Sequence, residues 1–141
     1  MAEETEVLGE LEARLSLRQP ALRELNERFE GVNKLRQLGV AIPEELKSFT
    51  VVLNWARIVV DAIEHRLDVS GFRMPGAEAA DTSLWQVWQY NNMDERQGFV
   101  HTDALALGTS FACVGTNETD PEAPLITVES PLEMTVRRDT R

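Results

Sequence analysis

Cysteine is almost missing. Cys113 is the only one in 141 residues, so no disulfide can close within the chain. Histidine occurs twice, at His65 and His101, in no His-x-x-x-His or comparable spacing, whereas a catalytic metal site draws on two or three convergent ligands. Basic charge is scarce. Lys and Arg total 14 against 24 Asp and Glu, a net charge of −10, and such a field repels phosphate and excludes a domain that grips nucleic acid. Long apolar runs are missing too: a run such as Ile58-Val59-Val60 falls far short of the roughly 18 residues of a spanning helix. The opening Met-Ala-Glu-Glu-Thr-Glu is the opposite of a secretion signal, so a soluble, reducing, intracellular setting is expected. Asn117-Glu118-Thr119 fits a glycosylation sequon and is read, without such a signal, as a turn. No internal repeat or low-complexity tract is present.

What is present is ordinary for a globular chain: 43% hydrophobic and 27% charged residues. The length suits one domain with one core. Val7, Leu8, Leu11 and Leu15 share a stripe and predict a helix over 4–18. Pro20 suits the first turn of a second helix to about Glu30, with Leu22, Leu25 and Phe29 on one face and Gly31 as its stop. A mixed connector over 32–43 and a helical turn over 44–49 follow. The clearest periodicity lies over 54–67. There Trp55, Ile58, Val59, Ala62, Ile63 and Arg66 line one side, and Asn54 is a good N-cap type. Arg57, Asp61, Glu64, His65 and Asp68 take the other side.

Residues 69–73 read as a short strand and 74–81 as a small-residue loop with a Pro-Gly turn. Asp81, Thr82 or Ser83 caps the next helix, with Ser83 and Gln86 at capping-box spacing; Leu84, Trp85 and Trp88 share a side, and Asn91-Asn92 closes it. A further helix is expected over 94–107, with Val100, Ala104 and Leu107 inward and Gly108 ending it. Strands follow over 110–115, 125–129 and 134–138, the first two separated by a surface loop over 116–124. Helices first and strands later predict an α+β fold, helical over 1–108 and stranded over 109–141. Three short strands arriving in the last third leave a sheet with open edges, so the chain reads as cut from something longer.

No reactive constellation stands out. His65 follows Asp61 by four residues, an ordinary helix-surface pair, and His101 sits on a helix flank with Asp103. Asp94-Glu95 and Asp61/Glu64 could do acid–base work, but acids at a helix start serve the dipole. Cys113 alternates with Phe111 and points to a core. Gly71 and Gly76 belong to no strand–glycine–helix phosphate loop, and Ser110 and Ser130 lack the nucleophile elbow. Trp85 and Trp88 could stack a ligand but read as core or interface. No catalytic, cofactor or metal residue is assigned.

An ordered set of motifs carries more information. It comprises Leu53-Asn54-Trp55-Ala56-Arg57-Ile58-Val59-Val60-Asp61, Val69-Ser70-Gly71-Phe72-Arg73 and Leu84-Trp85-Gln86-Val87-Trp88-Gln89-Tyr90-Asn91. His101-Thr102-Asp103-Ala104-Leu105-Ala106-Leu107-Gly108, Ile126-Thr127-Val128-Glu129-Ser130-Pro131 and Asp139 complete it. In this order and spacing, with Arg28-Phe29-Glu30-Gly31 ahead of them, they resemble the N-terminal part of tailed-bacteriophage portal proteins of the siphovirus type. The resemblance covers essentially the whole chain. It implies a non-enzymatic, cofactor-free virion component, in which 1–141 is a single wing-like N-terminal portion of a longer subunit. It further implies a homo-oligomeric ring, usually of twelve subunits, at one capsid vertex and in the host cytoplasm during assembly. Capsid or scaffold, terminase and head–tail connector proteins are its implied partners. DNA would pass through without specific binding, and no membrane is involved.

On this reading Trp55, Ile58, Val59 and Ile63 are expected in a core with Trp85 and Trp88. Arg57, Asp61 and Arg66 are expected at contacts between subunits or with other segments. The alternatives are a free-standing acidic module that binds a partner protein through its helical face, and a small enzyme.

Overall fold

The computed structural model describes residues 2–32, 54–121 and 123–137. Its element order is α1 (Ala2–Phe29), α2 (Trp55–Glu64), α3 (Thr82–Tyr90), α4 (Met93–Leu107), β1 (Phe111–Gly115) and β2 (Leu125–Glu129). Among the described residues, four helices followed by a two-stranded antiparallel sheet make the fold α+β, as the sequence predicts. The connector and the helical turn expected before Asn54 lie outside the described residues, apart from Val32.

The first two expected helices are one. Pro20 lies inside α1, where its ring removes the bond to the Ser16 carbonyl. Both residues are exposed, so water can take that carbonyl, and the flanking turns keep their own bonds. The helix ends as the sequence suggests. Gly31 takes φ +75°, its N–H reaches the Arg28 carbonyl at 3.2 Å, and Val32 N–H reaches the Glu27 carbonyl at 2.7 Å. This pair of bonds is a Schellman stop.

α4 is the hub. It packs against α1, α2, α3 and β2. Its first and last residues, Met93 and Leu107, are buried with Leu22 of α1, and they form the small apolar core; Pro131 is fully buried. Val100 turns inward as expected, but Ala104 is exposed, because the covered line runs through Met93, Gln97, Val100 and Leu107. Gly108 ends α4 at φ +80°, a conformation that costs glycine little.

Asp81 is the cap of α3, one of the three candidates. Its Oδ1 accepts from Ser83 N–H at 2.9 Å, Leu84 N–H at 3.1 Å and the Ser83 hydroxyl at 2.8 Å. The first two bonds satisfy free first-turn amides. Between α3 and α4 the chain turns at Asn92, which adopts φ +51°. The short aromatic and β-branched runs pair as expected, with Cys113 opposite Thr127 and Val114 opposite Ile126.

Two expected strands do not form. Over 69–73 the backbone is satisfied by other groups: Val69 N–H by the Gln97 side chain at 3.0 Å, and the Phe72 carbonyl by Asp81 N–H at 2.8 Å. After β2, Glu133 and Met134 N–H both bond the Ser130 carbonyl, and this turn swings the chain off the hairpin. Residues 134–137 run against α1 instead. Gln19 Nε2 donates to the Leu132 carbonyl at 3.2 Å, and Arg137 pairs with Glu10 at 3.0 Å. Met134 still reaches back to β1, its sulfur 3.6 Å from that of Cys113, which is half-buried.

Candidate functional site

The residues that the sequence offered for chemistry are dispersed. Among the described residues no three His, Cys, Asp or Glu side chains gather as metal ligands. His65 is exposed and stands 3.8 Å from Glu64, its neighbour, rather than pairing with Asp61. Asp61 is taken by Arg57 at 3.6 Å. His101 is half-buried, and its Nδ1 has no hydrogen-bond partner among the described residues. The Asp94 carboxylate accepts from the Trp88 indole and the Gln89 amide, both at 2.7 Å, and so locks the end of α3 to the start of α4. Asn117 accepts from Thr119 and Asp120 N–H, the side-chain turn expected of it. The Asp81 carboxyl lies below its usual value of 3.8, chiefly because the Leu84 N–H and then the Ser83 hydroxyl bond its charged form.

Three features organise the surface. The first is an aromatic corner. Trp85 and Trp88 stack with ring centres 6.3 Å apart, and Phe72 meets Trp88 edge-on at 5.4 Å. Phe72, Leu84, Val87, Trp88, Val114 and Ile126 line an almost wholly apolar groove of about 270 Å³ beside it. The second is a buried polar clamp. Asn91 donates to the Val87 and Pro124 carbonyls, each at 2.9 Å, and accepts from Ile126 N–H at 2.8 Å. One amide therefore ties α3 to the entry of β2. The sequence marked Asn91 only as a helix end.

The third feature overturns an expectation. α2 carries the predicted apolar stripe, but the stripe faces outward: Trp55 is 66% exposed, Ile58 55%, Val59 57% and Ile63 44%. These residues do not share a core with Trp85 and Trp88. The helix sits on the body through its polar side instead. Asn54 caps Arg57 N–H at 3.0 Å and donates to the Phe29 carbonyl. Arg57 lies over the Phe29 ring at 5.4 Å and within 3.7 Å of Glu30. Glu64, with its side chain 22% exposed, packs over Gly98 of α4, where an added Cβ would come within 3.0 Å of its carboxylate. Arg57 and Asp61, expected at contacts beyond this chain, pair with each other and keep about half of their side chains exposed. The clue lay in the i, i+4, i+7 spacing of Arg57, Asp61 and Glu64, which gives one continuous polar face.

In α2, then, polar contacts face the body and the apolar stripe is open to solvent. Comparison with known proteins identifies the family. The family described as "Phage portal protein, SPP1 Gp6-like" matches residues 8–141, and the chain belongs to it. The portal protein of Mycobacterium phage D29 is 34% identical over 126 residues, which cover 85% of this chain and 26% of that protein. The portal protein of Mycobacterium phage L5 is 32% identical over 119 residues, or 80% of this chain and 24% of that one. The chain spans about a quarter of the length of these relatives. The family is a structural one, and the resemblance read from the ordered motifs is correct.

Proposed function

We propose that residues 1–141 are the wing-like N-terminal portion of a phage portal subunit. The full-length protein assembles as a homo-oligomeric ring, usually of twelve, at one vertex of the virion capsid, after a cytoplasmic stage in the host. Through the ring, DNA is packaged and later ejected; capsid or scaffold, terminase and head–tail connector proteins are the partners of the whole subunit. In this reading no residue is catalytic and no cofactor is bound. The observation that carries it is the family match along residues 8–141 together with two portal relatives at 34% and 32% identity. The net charge of −10 supports it physically, because a conduit must let a polyanion slide rather than hold it.

The test is assembly of the full-length subunit. Electron microscopy of the purified protein is expected to show closed rings with a central channel. Procapsids built with it are expected to take up DNA when terminase and ATP are added, and those built without it are not. A subunit that forms no ring and whose absence leaves packaging intact would refute the reading.

A further inference from the structure

The outward stripe of α2 is the largest feature that the portal reading leaves without a role. Trp55, Ile58, Val59 and Ile63 lie roughly opposite Arg57, Asp61 and Glu64 on the helical wheel; Arg57 over Phe29 and Glu64 over Gly98 seat the helix against α1 and α4, with Val60 half-buried beside them. A surface helix ordinarily turns its apolar side inward; one held by its polar side keeps the apolar side for something else. We infer that this stripe is the seat of a later segment of the same full-length subunit, in chain beyond Arg141. The inference rests on the portal reading for the existence of that chain.

Two observations support this occupant. The stripe offers on the order of 500 Å², given about 150 Å² from an exposed Trp55 and less from each aliphatic residue. Two separate proteins held together by specific contacts bury about 800 Å² each, so the stripe alone is too small for a stable pair. A covalently joined segment needs less, because its effective concentration is in the millimolar range. The relatives, finally, are about four times as long as the matched region, so a homologous subunit has ample chain to supply the cover.

The experiment places the photo-crosslinker p-benzoylphenylalanine at position 55, and separately at position 58, of the full-length subunit. Both positions are exposed within this portion, so the probe does not disturb its core. After irradiation, the monomer-mass band is digested and mapped by mass spectrometry. Cross-links from both positions to residues beyond 141 of the same subunit are expected. Bands of doubled mass, in which two subunits are joined at the probe, would overturn the inference, as would cross-links confined to residues 1–141, no cross-link at either position, or a reading frame that stops at Arg141. Rings with inter-subunit cross-links would leave the portal reading standing and sink this one. Intra-subunit cross-links in a protein that never forms rings would do the reverse.

Discussion

Replacing Asn91 by aspartate keeps the shape of the side chain and reverses half of its chemistry. The amide nitrogen that donates to the Val87 and Pro124 carbonyls becomes an oxygen, while the bond accepted from Ile126 N–H survives. Two donated bonds are lost, at about 1 kcal/mol each. Two carbonyl oxygens then face a carboxylate at a position only 5% exposed, where desolvation adds a further 1–2 kcal/mol or so. The sum is about 3 kcal/mol at neutral pH, or a melting temperature lower by roughly 10 °C for a domain of this size. The sign of the pH dependence follows from the same geometry. The protonated acid regains one donor, so burial and the two carbonyls raise the pKa of the introduced carboxyl above the usual ~3.9. The penalty is full above the raised pKa and shrinks as the pH falls through it, by about 1.4 kcal/mol for every tenfold gain in proton affinity. Urea unfolding of the wild-type and Asn91→Asp chains at pH 7 and pH 4.5, followed by helical circular dichroism and Trp fluorescence, reads both effects. An equal urea midpoint at pH 7, or a gap that does not narrow at pH 4.5, would show that the amide does not bridge α3 to β2.

Other perturbations test other joints. The Asp81 carboxyl is held below 3.8, so the stability it supplies is present above that pH and is lost as the pH falls through the lowered value; Asp81→Asn, which keeps a capping oxygen, is expected to flatten the wild-type loss of helix between pH 5 and pH 2.5. Gly108→Ala forces a side chain into φ +80° and should cost about 1 kcal/mol in a urea titration. Ile58→Asp, a severe change for a core residue, should alter the stability of the 141-residue chain by no more than about 0.5 kcal/mol, because the side chain is solvated there; a loss above about 2 kcal/mol would mean that the stripe is already covered.

Signals carried by a few adjacent residues were legible in the sequence. Asn54 capping α2, Gly31 and Gly108 as left-handed stops, and the two paired strands all depend on local backbone chemistry, which neighbouring side chains decide. What was not legible depended on partners far along the chain. The spacing of Trp55, Ile58, Val59 and Ile63 defines an apolar face but not its direction, and the Phe29–Glu30 and Gly98 contacts set that. The segments over 69–73 and 134–137 have strand-like composition, but the Gln97 side chain and the Ser130 turn give their backbones other partners. Pro20 announced a helix start, and yet a single missing bond does not break a helix whose other turns are intact. The ordered family motifs were visible in the residues before any fold was known.

The contacts that fasten the tail to the first helix set a schedule for synthesis. Gln19 and Leu132 are 113 residues apart, and Glu10 and Arg137 are 127 apart. At a bacterial rate of about 5–20 residues per second, Gln19 is made roughly 6–23 s before its acceptor exists. Until α2 and α4 emerge to pack on it, α1 rests on its own helical bonds, a 28-residue helix long enough to be marginally stable unaided. Leu22, which ends up beneath α4, waits in solvent until Met93 and Leu107 have left the ribosome. In a cell making many copies at once, that waiting helix is the moment at which one nascent chain is most open to the wrong neighbour.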